Sequence, residues 1–244
     1  MKNEAFSYHQ YEQLNWLSQE ETKINSTINR FIIQHILNGK KGDEVRVFDM
    51  GFGTGLLLEM LHDALTPVYK AITLEGCEPA TNHFKHFESR NIQSGLAKTR
   101  IFNHTFLETR TDTKFDYLVS VYVFPHIDTD ELAAAANRIH SMLLEDGKFI
   151  LVVANENQLL AKLQSHPELV IEKRTAMRNG NTYQEHVHYS EIPQIGTIID
   201  INREERYYVE LFRELGMEVL FQSTLDDQGF LCSFLVFSKS GSMP

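Results

Sequence analysis

Cysteine is scarce in this chain, and several other features are missing altogether. Its 244 residues include two cysteines, Cys77 and Cys232, and both lie in apolar runs. Two isolated cysteines indicate neither a disulfide framework nor a cysteine zinc site. No apolar run approaches the length of a membrane-spanning helix, and the opening residues 1–4 do not form a secretory signal. We therefore expect a cytoplasmic protein without a membrane partner.

Positive charge is also in short supply. Lys and Arg total 23 against 33 Asp and Glu, which gives a net charge of −10. Partners such as a nucleic-acid backbone or an anionic membrane surface require clustered positive charge, so this balance disfavours both. A local patch of positive charge could still bind a tRNA or protein substrate. The length and the 42% apolar content predict one large domain, or one domain with an insertion.

The glycine-rich run at residues 45–55 lacks the signatures of phosphate binding. A β-prone segment ends in Asp49, glycines follow at every second position, and a leucine-rich helical segment begins at Leu56. A dinucleotide fingerprint requires glycine where Leu56 stands, and a P-loop requires a Gly-Lys pair, whereas no lysine occurs between Lys41 and Lys70. The run therefore predicts a strand, a tight turn and a helix N-terminus that meets a ligand other than a phosphate.

The spacing Asp-x-Gly-x-Gly-x-Gly resembles the first motif of the class I S-adenosylmethionine-dependent methyltransferases. An aspartate suits the cationic methionine end of that cofactor and would repel a pyrophosphate. The resemblance extends to a predicted fourth strand with its loop, residues 115–127, and to the turn before a fifth strand, residues 143–150. It covers about residues 25–155 and resumes over the last helix and hairpin. A glycine turn that only reverses the chain is the alternative.

The resemblance implies a set of cofactor contacts. The methionine end would be held by Asp49, Gly51, Phe52, Gly53 and Gly55. An acidic side chain at the end of the second strand, Glu78, followed by Pro79, would accept hydrogen bonds from the ribose hydroxyls. Glu75 is the competitor, although it falls within the strand, and a solvated surface glutamate is the other alternative.

The sequence gives weaker signals for the residues that would bind adenine and the centre of the cofactor. The family often carries an acidic residue after the third strand, where this chain reads Asn103-His104-Thr105-Phe106. The resemblance leaves Thr105 or the backbone of Phe106 to bind the adenine amino group. The Phe106 ring could stack on adenine or be a core ring. Val121, at the end of the fourth strand, would offer backbone contacts.

Histidine is the best candidate for proton transfer. Methyl transfer from a sulfonium needs alignment and exclusion of water more than catalytic side chains. His126 lies in the loop after the fourth strand, which would face the methyl group, and an imidazole suits proton removal from a hydroxyl or ammonium. Tyr122 beside it could orient the acceptor. The alternatives are a structural hydrogen bond for His126 and a core position for Tyr122.

Further candidates lie at the N-terminus and beyond residue 155. The aromatic residues Tyr8, Tyr11 and Trp16 could close over the site, with Tyr11 contacting the acceptor, or pack on the first helix. Arg174 and Arg178 could bind a substrate carboxylate, the alternatives being a solvated strand edge or a dimer contact. His186 and His188 alternate on one strand, but no third ligand accompanies them, and no metal site is predicted.

Hydrophobic periodicity predicts an α/β fold, and the resemblance implies a Rossmann-like seven-stranded methyltransferase sheet with helices on both faces. After the fifth strand, short segments at 168–178, 182–192 and 195–201 predict an antiparallel β insertion. We expect four parts along the chain: an N-terminal lid and helix, 1–40; an S-adenosylmethionine-binding α/β core, 41–155; an inserted substrate or dimer element, 156–202; and a helix and hairpin completing the core, 203–244.

These patterns predict transfer of a methyl group from S-adenosylmethionine to a nitrogen or oxygen of a small-molecule acceptor. Two alternatives remain open at this point. One is methylation of a macromolecule, either tRNA or protein, and the other is a non-catalytic cofactor-binding or scaffold module. A nicotinamide-dependent reaction ranks last because of Leu56. The insertion is a candidate homodimer surface.

Overall fold

A computed structural model describes residues 25–39, 42–94, 99–192 and 196–239. Its main layer is a seven-stranded sheet. The strands are β1 (Glu44–Met50), β2 (Ala71–Cys77), β3 (Arg100–Phe102), β4 (Phe115–Val121), β5 (Leu143–Ala154), β9 (Met217–Asp227) and β10 (Phe230–Lys239). They are ordered β3-β2-β1-β4-β5-β10-β9. The first five pair in parallel, and β10 is antiparallel to both of its neighbours.

Helices cover both faces of this sheet. They are α1 (Ser26–Asn38), α2 (Leu56–Leu65), α3 (Thr81–Ser94), α4 (Thr129–Met142), α5 (Glu156–Ser165) and α6 (Glu205–Arg213). Successive strand residues point to opposite faces, so Val45 and Val47 join the core beneath α1 and α2, whereas Phe48 and Met50 join the core beneath α4 and α6. The near-continuous apolar strands are those of a sheet buried on both sides.

The insertion after β5 is a separate three-stranded antiparallel sheet. It consists of β6 (Val170–Arg178), β7 (Asn181–Ile192) and β8 (Gly196–Arg203), with β7 in the middle. The two-residue turn between β6 and β7 places Asn179 at φ 49° and Gly180 at φ 73°, the left-handed conformations of a tight hairpin. Tyr183 packs edge-on against Tyr207 of α6 at 5.5 Å. The insertion is therefore anchored on the α4/α6 face.

The predicted seven-stranded sheet, the helices on both faces and the antiparallel insertion are confirmed. The third strand is only three residues long and ends at Phe102, so Asn103 directly follows it. The expected turn at residues 145–148 lies within β5, because the pairing with β4 jumps from Phe115–Leu143 to Tyr117–Lys148. Residues 144–147 bulge out of the ladder at this point.

None of the helices within the described residues is long and apolar enough to cross a membrane.

Candidate active site

The glycine run forms the loop between β1 and α2. Gly51, Gly53 and Gly55 all have positive φ, and Gly55 is the N-cap of α2. A Cβ on Gly55 would stand 2.0 Å from the Phe87 ring, so both space and backbone conformation require glycine there. A Cβ on Gly53 would meet nothing within 4 Å. Gly53 therefore borders the open space in front of the loop, where a ligand can approach the backbone.

Glu78 ties this loop to the end of β2. One of its carboxylate oxygens accepts a hydrogen bond from the Gly53 N–H at 2.8 Å, and the other accepts one from the Ala80 N–H at 2.8 Å. The side chain is buried, with 3% of the residue exposed. Glu75, the competing acid, lies inside β2 and accepts a hydrogen bond from the Thr113 hydroxyl. Glu78 is thus the acid that reaches the glycine loop.

Asn103 supports Glu78 from the end of β3. Its side-chain amide donates to the carbonyl of Glu78 at 2.9 Å and lies 3.3 Å from that of Pro79. The Thr81 hydroxyl donates in turn to the Asn103 side-chain oxygen at 3.3 Å. In the sequence, Asn103 stands out only because it occupies a place where the family often has an acidic residue. Its position directly after a strand at the same sheet edge is the signal that could have identified it.

Two buried carboxyl groups share this pocket. Burial, followed by the charge of Glu78, raises the pKa of Asp49 to about 7. Burial also raises the pKa of Glu78 to about 7, against the opposing effect of the N–H donors of Ala80 and Gly53. Each carboxylate is costly to ionise here, and a positively charged ligand would relieve that cost. The pocket therefore favours a cation and disfavours a phosphate.

The loop after β4 lies beside the glycine loop. Asp49 pairs with Val119 across the two neighbouring strands, so both chains leave the same sheet edge. A Cβ on Gly51 would stand 2.5 Å from the Val123 side chain, which shows how closely the loops approach. A short 3-10 helix, Phe124–His126, follows. The sheet thus brings His126 to the edge that carries the glycine loop.

His126 faces a carboxylate of the insertion. Its Nδ1 lies 3.2 Å from Oδ1 of Asp200 in β8, and the two side chains are 20% and 18% exposed. This pairing was not foreseen from the sequence. The insertion therefore contributes directly to the surroundings of the candidate base.

A buried ion pair fixes the loop that carries His126. Arg203, at the end of β8, donates from Nε to the Glu185 carboxylate at 2.6 Å and from its terminal nitrogens to the carbonyls of Phe124 at 3.1 Å and Ile127 at 2.8 Å. The Thr129 hydroxyl, at the start of α4, donates to the same carboxylate at 2.7 Å. Both charged side chains are almost fully buried. They join the insertion, the loop after β4 and α4 into one rigid unit.

A comparison with known protein families identifies the segment that carries the glycine loop. Residues 47–147, which run from β1 to the bulge in β5, match the family described as "Methyltransferase domain". Residues 47–147 are therefore a methyltransferase domain. The glycine loop and the buried acids Asp49 and Glu78 lie within this matched segment. No curated protein matched the chain in sequence.

Solved structures share the fold of this methyltransferase. An S-adenosylmethionine-dependent methyltransferase from Clostridium acetobutylicum ATCC 824 is 15% identical, with a TM-score of 0.63 over 96% of this chain and 99% of that chain. Magnesium protoporphyrin IX methyltransferase from Synechocystis PCC 6803, with S-adenosylhomocysteine bound, is 14% identical, with a TM-score of 0.63 over 98% and 95%. A glycopeptide N-methyltransferase complexed with S-adenosylmethionine is 15% identical, with a TM-score of 0.58 over 85% and 92%.

Tyr122 begins the loop after β4. It directly follows Val121, the last residue of β4, and adopts a left-handed φ of 57°. Its ring contacts Phe230 edge-on at 5.9 Å. Burial, with the neighbouring Cys232, raises the pKa of its hydroxyl well above 10. A phenol held neutral in this way fits the packing alternative better than a part in proton removal.

The ring of Phe106 packs in the core. Phe106 is buried in the core beneath α4, where its ring lies 5.9 Å from that of Phe48 with the Arg138 guanidinium over it at 5.5 Å. This packing favours the core alternative over stacking on adenine. The Thr105 hydroxyl donates to Glu108 at 2.8 Å. Binding of adenine by Thr105 or by the Phe106 backbone stays a prediction.

Arg178 lies away from the candidate site, contrary to its expected role. Its guanidinium pairs with Glu214 and covers the Tyr207 ring at 5.2 Å. Glu214 directly follows α6 and precedes Met217, which pairs with Lys239 beside the amino end of β5. This is the opposite end of the sheet from the glycine loop. Arg174 is held by Glu172 at 2.8 Å.

Three further observations concern the N-terminal aromatic residues, metal-binding side chains and the cysteines. Tyr11, with Tyr8 and Trp16, lies outside the described residues, and its contact with the acceptor stays a prediction. Within the described residues, no group of three or more His, Cys, Asp or Glu side chains is arranged to hold a metal ion. Cys77 and Cys232 are both buried and free.

Proposed function

We propose that this protein transfers the methyl group of S-adenosylmethionine to a nitrogen or oxygen atom of a small-molecule acceptor. The observation that carries the proposal is the pair of buried acids, Asp49 and Glu78, in front of an open glycine loop. They suit a ligand with a cationic end and no phosphate. The histidine on the adjacent loop places a proton acceptor at the same edge.

The cofactor is proposed to lie across the carboxyl ends of β2, β1 and β4. Strand order reverses between β1 and β4, which is where ligands bind in sheets of this kind. The methionine end is assigned to Asp49 and residues 51–55, and the ribose to Glu78 with Pro79. Each Glu78 oxygen has one backbone donor and keeps a lone pair for a ribose hydroxyl. Val121 would contribute its backbone.

The acceptor is proposed to enter between the glycine loop and the insertion. S-adenosylmethionine supplies an activated methyl group when bound. The chain supplies alignment through the rigid loop around Arg203 and a proton acceptor at His126. The solved relatives include methyltransferases named for a porphyrin and a glycopeptide acceptor, which agrees with a non-polymeric substrate. The net charge of −10 also favours that class over tRNA.

Calorimetric titration with S-adenosylmethionine and S-adenosylhomocysteine tests the cofactor assignment. We expect binding of both with dissociation constants on the order of micromolar. No binding by either compound would defeat the proposal. A subsequent screen for product, with and without added salt, separates the acceptor classes, because affinity for RNA would fall steeply with salt concentration.

Affinity for the cofactor is expected to weaken as the pH falls through about 7. Asp49 and Glu78 have pKa values of about 7, so they gain protons between about pH 8 and pH 6 and lose their attraction for the cationic cofactor. Uptake of one proton with such a pKa lowers the affinity about tenfold over this range. Calorimetry at the two pH values, in buffers of different ionisation enthalpy, measures both the affinity and the protons taken up.

The same groups have the opposite effect on stability without cofactor. Their pKa values are raised above those of an unfolded chain, so the folded state retains protons that the unfolded state releases. Their contribution to stability is therefore greatest below the unfolded pKa and is lost as the pH rises to about 7. Asp49→Asn should flatten both pH profiles. A cofactor affinity independent of pH in this range would contradict the assignment.

His126→Ala is expected to lower turnover by about 10²- to 10⁴-fold, the usual contribution of a general base. The affinity for the cofactor should stay within a few-fold, because His126 lies on the acceptor side. Single-turnover kinetics and calorimetry measure the two effects separately. His166 is a matched control, since its Nδ1 also lies 3.2 Å from a carboxylate oxygen, of Glu168, but is exposed. Unchanged turnover in His126→Ala would remove this residue from the mechanism.

Each of the four expected parts of the chain has a proposed role. The insertion, residues 156–202, is assigned to the acceptor side because Asp200 reaches His126. Residues 1–40 are assigned to closure over the site and to the first helix. Residues 41–155 and 203–244 would together form the cofactor-binding core.

A further inference from the structure

We propose that Asn103, directly after β3, is a positioning residue that orients the Glu78 carboxylate for the two neighbouring hydroxyls of the cofactor ribose. The inference rests on the proposed function and deepens it. It assigns the discrimination between a ribose and a sugar without these hydroxyls to a residue that acts through Glu78.

Asn103 continues the pairing of β2 and β3 beyond the last backbone hydrogen bond. Cys77 pairs with Phe102 at the end of the two strands, and the Glu78 N–H donates to the Phe102 carbonyl at 3.0 Å. The carbonyl of Glu78 accepts a hydrogen bond from the Asn103 side-chain amide at 2.9 Å. Glu78 is buried, and buried carbonyls need a donor. A side chain therefore supplies the donor at the point where the backbone pairing stops.

A single peptide group connects Asn103 with the Glu78 carboxylate. The same side-chain nitrogen lies 3.3 Å from the Pro79 carbonyl oxygen. That carbonyl and the Ala80 N–H belong to one planar trans peptide, in which the two groups point in opposite directions. The Ala80 N–H donates to one oxygen of the Glu78 carboxylate at 2.8 Å. Asn103 thus holds the carbonyl side of this peptide, and its N–H side holds the carboxylate.

The second carboxylate oxygen joins this arrangement to the glycine loop, because it accepts a hydrogen bond from the Gly53 N–H at 2.8 Å. Two backbone donors therefore fix the orientation of the carboxylate, one after β1 and one after β2. Asn103 controls the second of them. Glu78 is 3% exposed and Ala80 is fully buried, so bulk water does not replace a donor that moves away.

Recognition of ribose hydroxyls depends on this orientation more than recognition of a positive charge does. Hydrogen bonds weaken steeply as their alignment is lost, and two neighbouring hydroxyls would use both carboxylate oxygens at once. The attraction between the buried acids and a cationic methionine end depends on distance instead. Loss of the Asn103 amide should therefore weaken the contribution of the hydroxyls and leave that of the methionine end.

Calorimetric titration with two probes measures the contribution of the hydroxyls. The probes are S-adenosylhomocysteine and its analogue without both ribose hydroxyls, at about pH 8, above the pKa of about 7 of Glu78. The wild type should bind S-adenosylhomocysteine about tenfold to a hundredfold more tightly than the analogue, as expected for hydrogen bonds to a charged group. In Asn103→Ala, the affinity for S-adenosylhomocysteine should fall about tenfold and that for the analogue should stay within about twofold.

Two further variants separate this role from a purely structural one. Asn103→Asp keeps the shape of the side chain and an acceptor for the Thr81 hydroxyl, but its carboxylate has no donor for the two carbonyls. Its preference for S-adenosylhomocysteine should fall as it does in Asn103→Ala. Asn137 also donates its side-chain amide to a carbonyl, that of Ala133 on α4 at 2.8 Å. Asn137→Ala should keep the wild-type preference.

Amide hydrogen exchange tests the geometry without a ligand. In Asn103→Ala, the N–H groups of Ala80 and Gly53 should exchange about tenfold faster than in wild type, because both donate to a carboxylate whose position is no longer fixed. The Gly51 N–H donates to the Cys77 carbonyl at 2.8 Å and is the internal control. Its exchange rate should stay the same.

Several results would overturn the inference and leave the proposed function standing, provided that the wild type binds S-adenosylhomocysteine. They are equal binding of both probes by the wild type, an equal loss of affinity for both probes in Asn103→Ala, and unchanged exchange at Ala80 and Gly53. A preference retained in Asn103→Asp would also contradict it, since that variant lacks the donor. A wild type that binds neither probe would count against the proposed function and the ribose role together.

Discussion

Gly53→Arg is expected to abolish measurable binding of S-adenosylmethionine, a loss of at least about a hundredfold in affinity. Gly53 has a φ of 55° and open space where its side chain would begin. An arginine there would fill the space in front of the loop and place its own positive charge beside Asp49 and Glu78. It would therefore compete with the cofactor for both volume and charge. Calorimetric titration measures the loss.

Gly180→Arg is the matched control for this substitution. Gly180, in the β6–β7 turn, also has a positive φ, of 73°, and open space at its Cβ position. Both variants should lose about 1–2 kcal/mol of stability from the left-handed conformation. Only Gly53→Arg should lose cofactor binding. Affinity within a few-fold of wild type in that variant would show that the open space at the loop does not receive the cofactor.

Arg203→Leu is expected to destabilise the protein by about 3–5 kcal/mol, because it leaves the Glu185 carboxylate buried without its partner. For a chain of this size that corresponds to a fall of roughly 6–20 °C in the unfolding temperature. The carbonyls of Phe124 and Ile127 also lose a donor. Scanning calorimetry measures the change, and turnover should fall with it because His126 lies on the released loop.

Two further variants distinguish the effect of losing the buried ion pair from the effect of losing any positive charge. Arg213 pairs with Glu210 three residues away on α6 and is 62% exposed, so Arg213→Leu should cost less than about 1 kcal/mol. Replacing both buried partners, Arg203→Leu with Glu185→Leu, should recover much of the lost stability. A single Arg203→Leu variant as stable as Arg213→Leu would show that the pair does not hold the loop.

The core of the fold was predictable because its strands and helices have clear periodicity. Apolar strands between helical segments, with turn residues at Asn38-Gly39 and Asn179-Gly180, determine the order of elements almost without tertiary information. Boundaries were less accurate where pairing decides them. β5 begins at Leu143 through a bulge that no local pattern announces, and β3 ends after three residues because its neighbour β2 ends at Cys77.

The meeting of the glycine loop and Glu78 at one sheet edge was predictable for the same reason, and the partners of His126 were not. Asp49, Gly53 and Glu78 each follow from a residue type at the end of a strand. The partners of His126 come from β8, and a single sequence contains no signal that joins Asp200 to a loop so distant in the chain. Arg178 is the opposite case: its charge made it a candidate for substrate binding, but it pairs with Glu214 at the end of the sheet opposite the glycine loop.

The position of β10 has a consequence for how the chain is assembled. β10 lies between β5 and β9 in the sheet. Residues Ile150 to Val153 of β5 are all buried in the folded protein. They have no hydrogen-bonding neighbour on the β10 side until residues 230–239 have been synthesised. Until then they form an exposed apolar edge of the type that recruits other chains. We expect nascent or truncated chains that lack β10 to aggregate through β5 and to depend on chaperones.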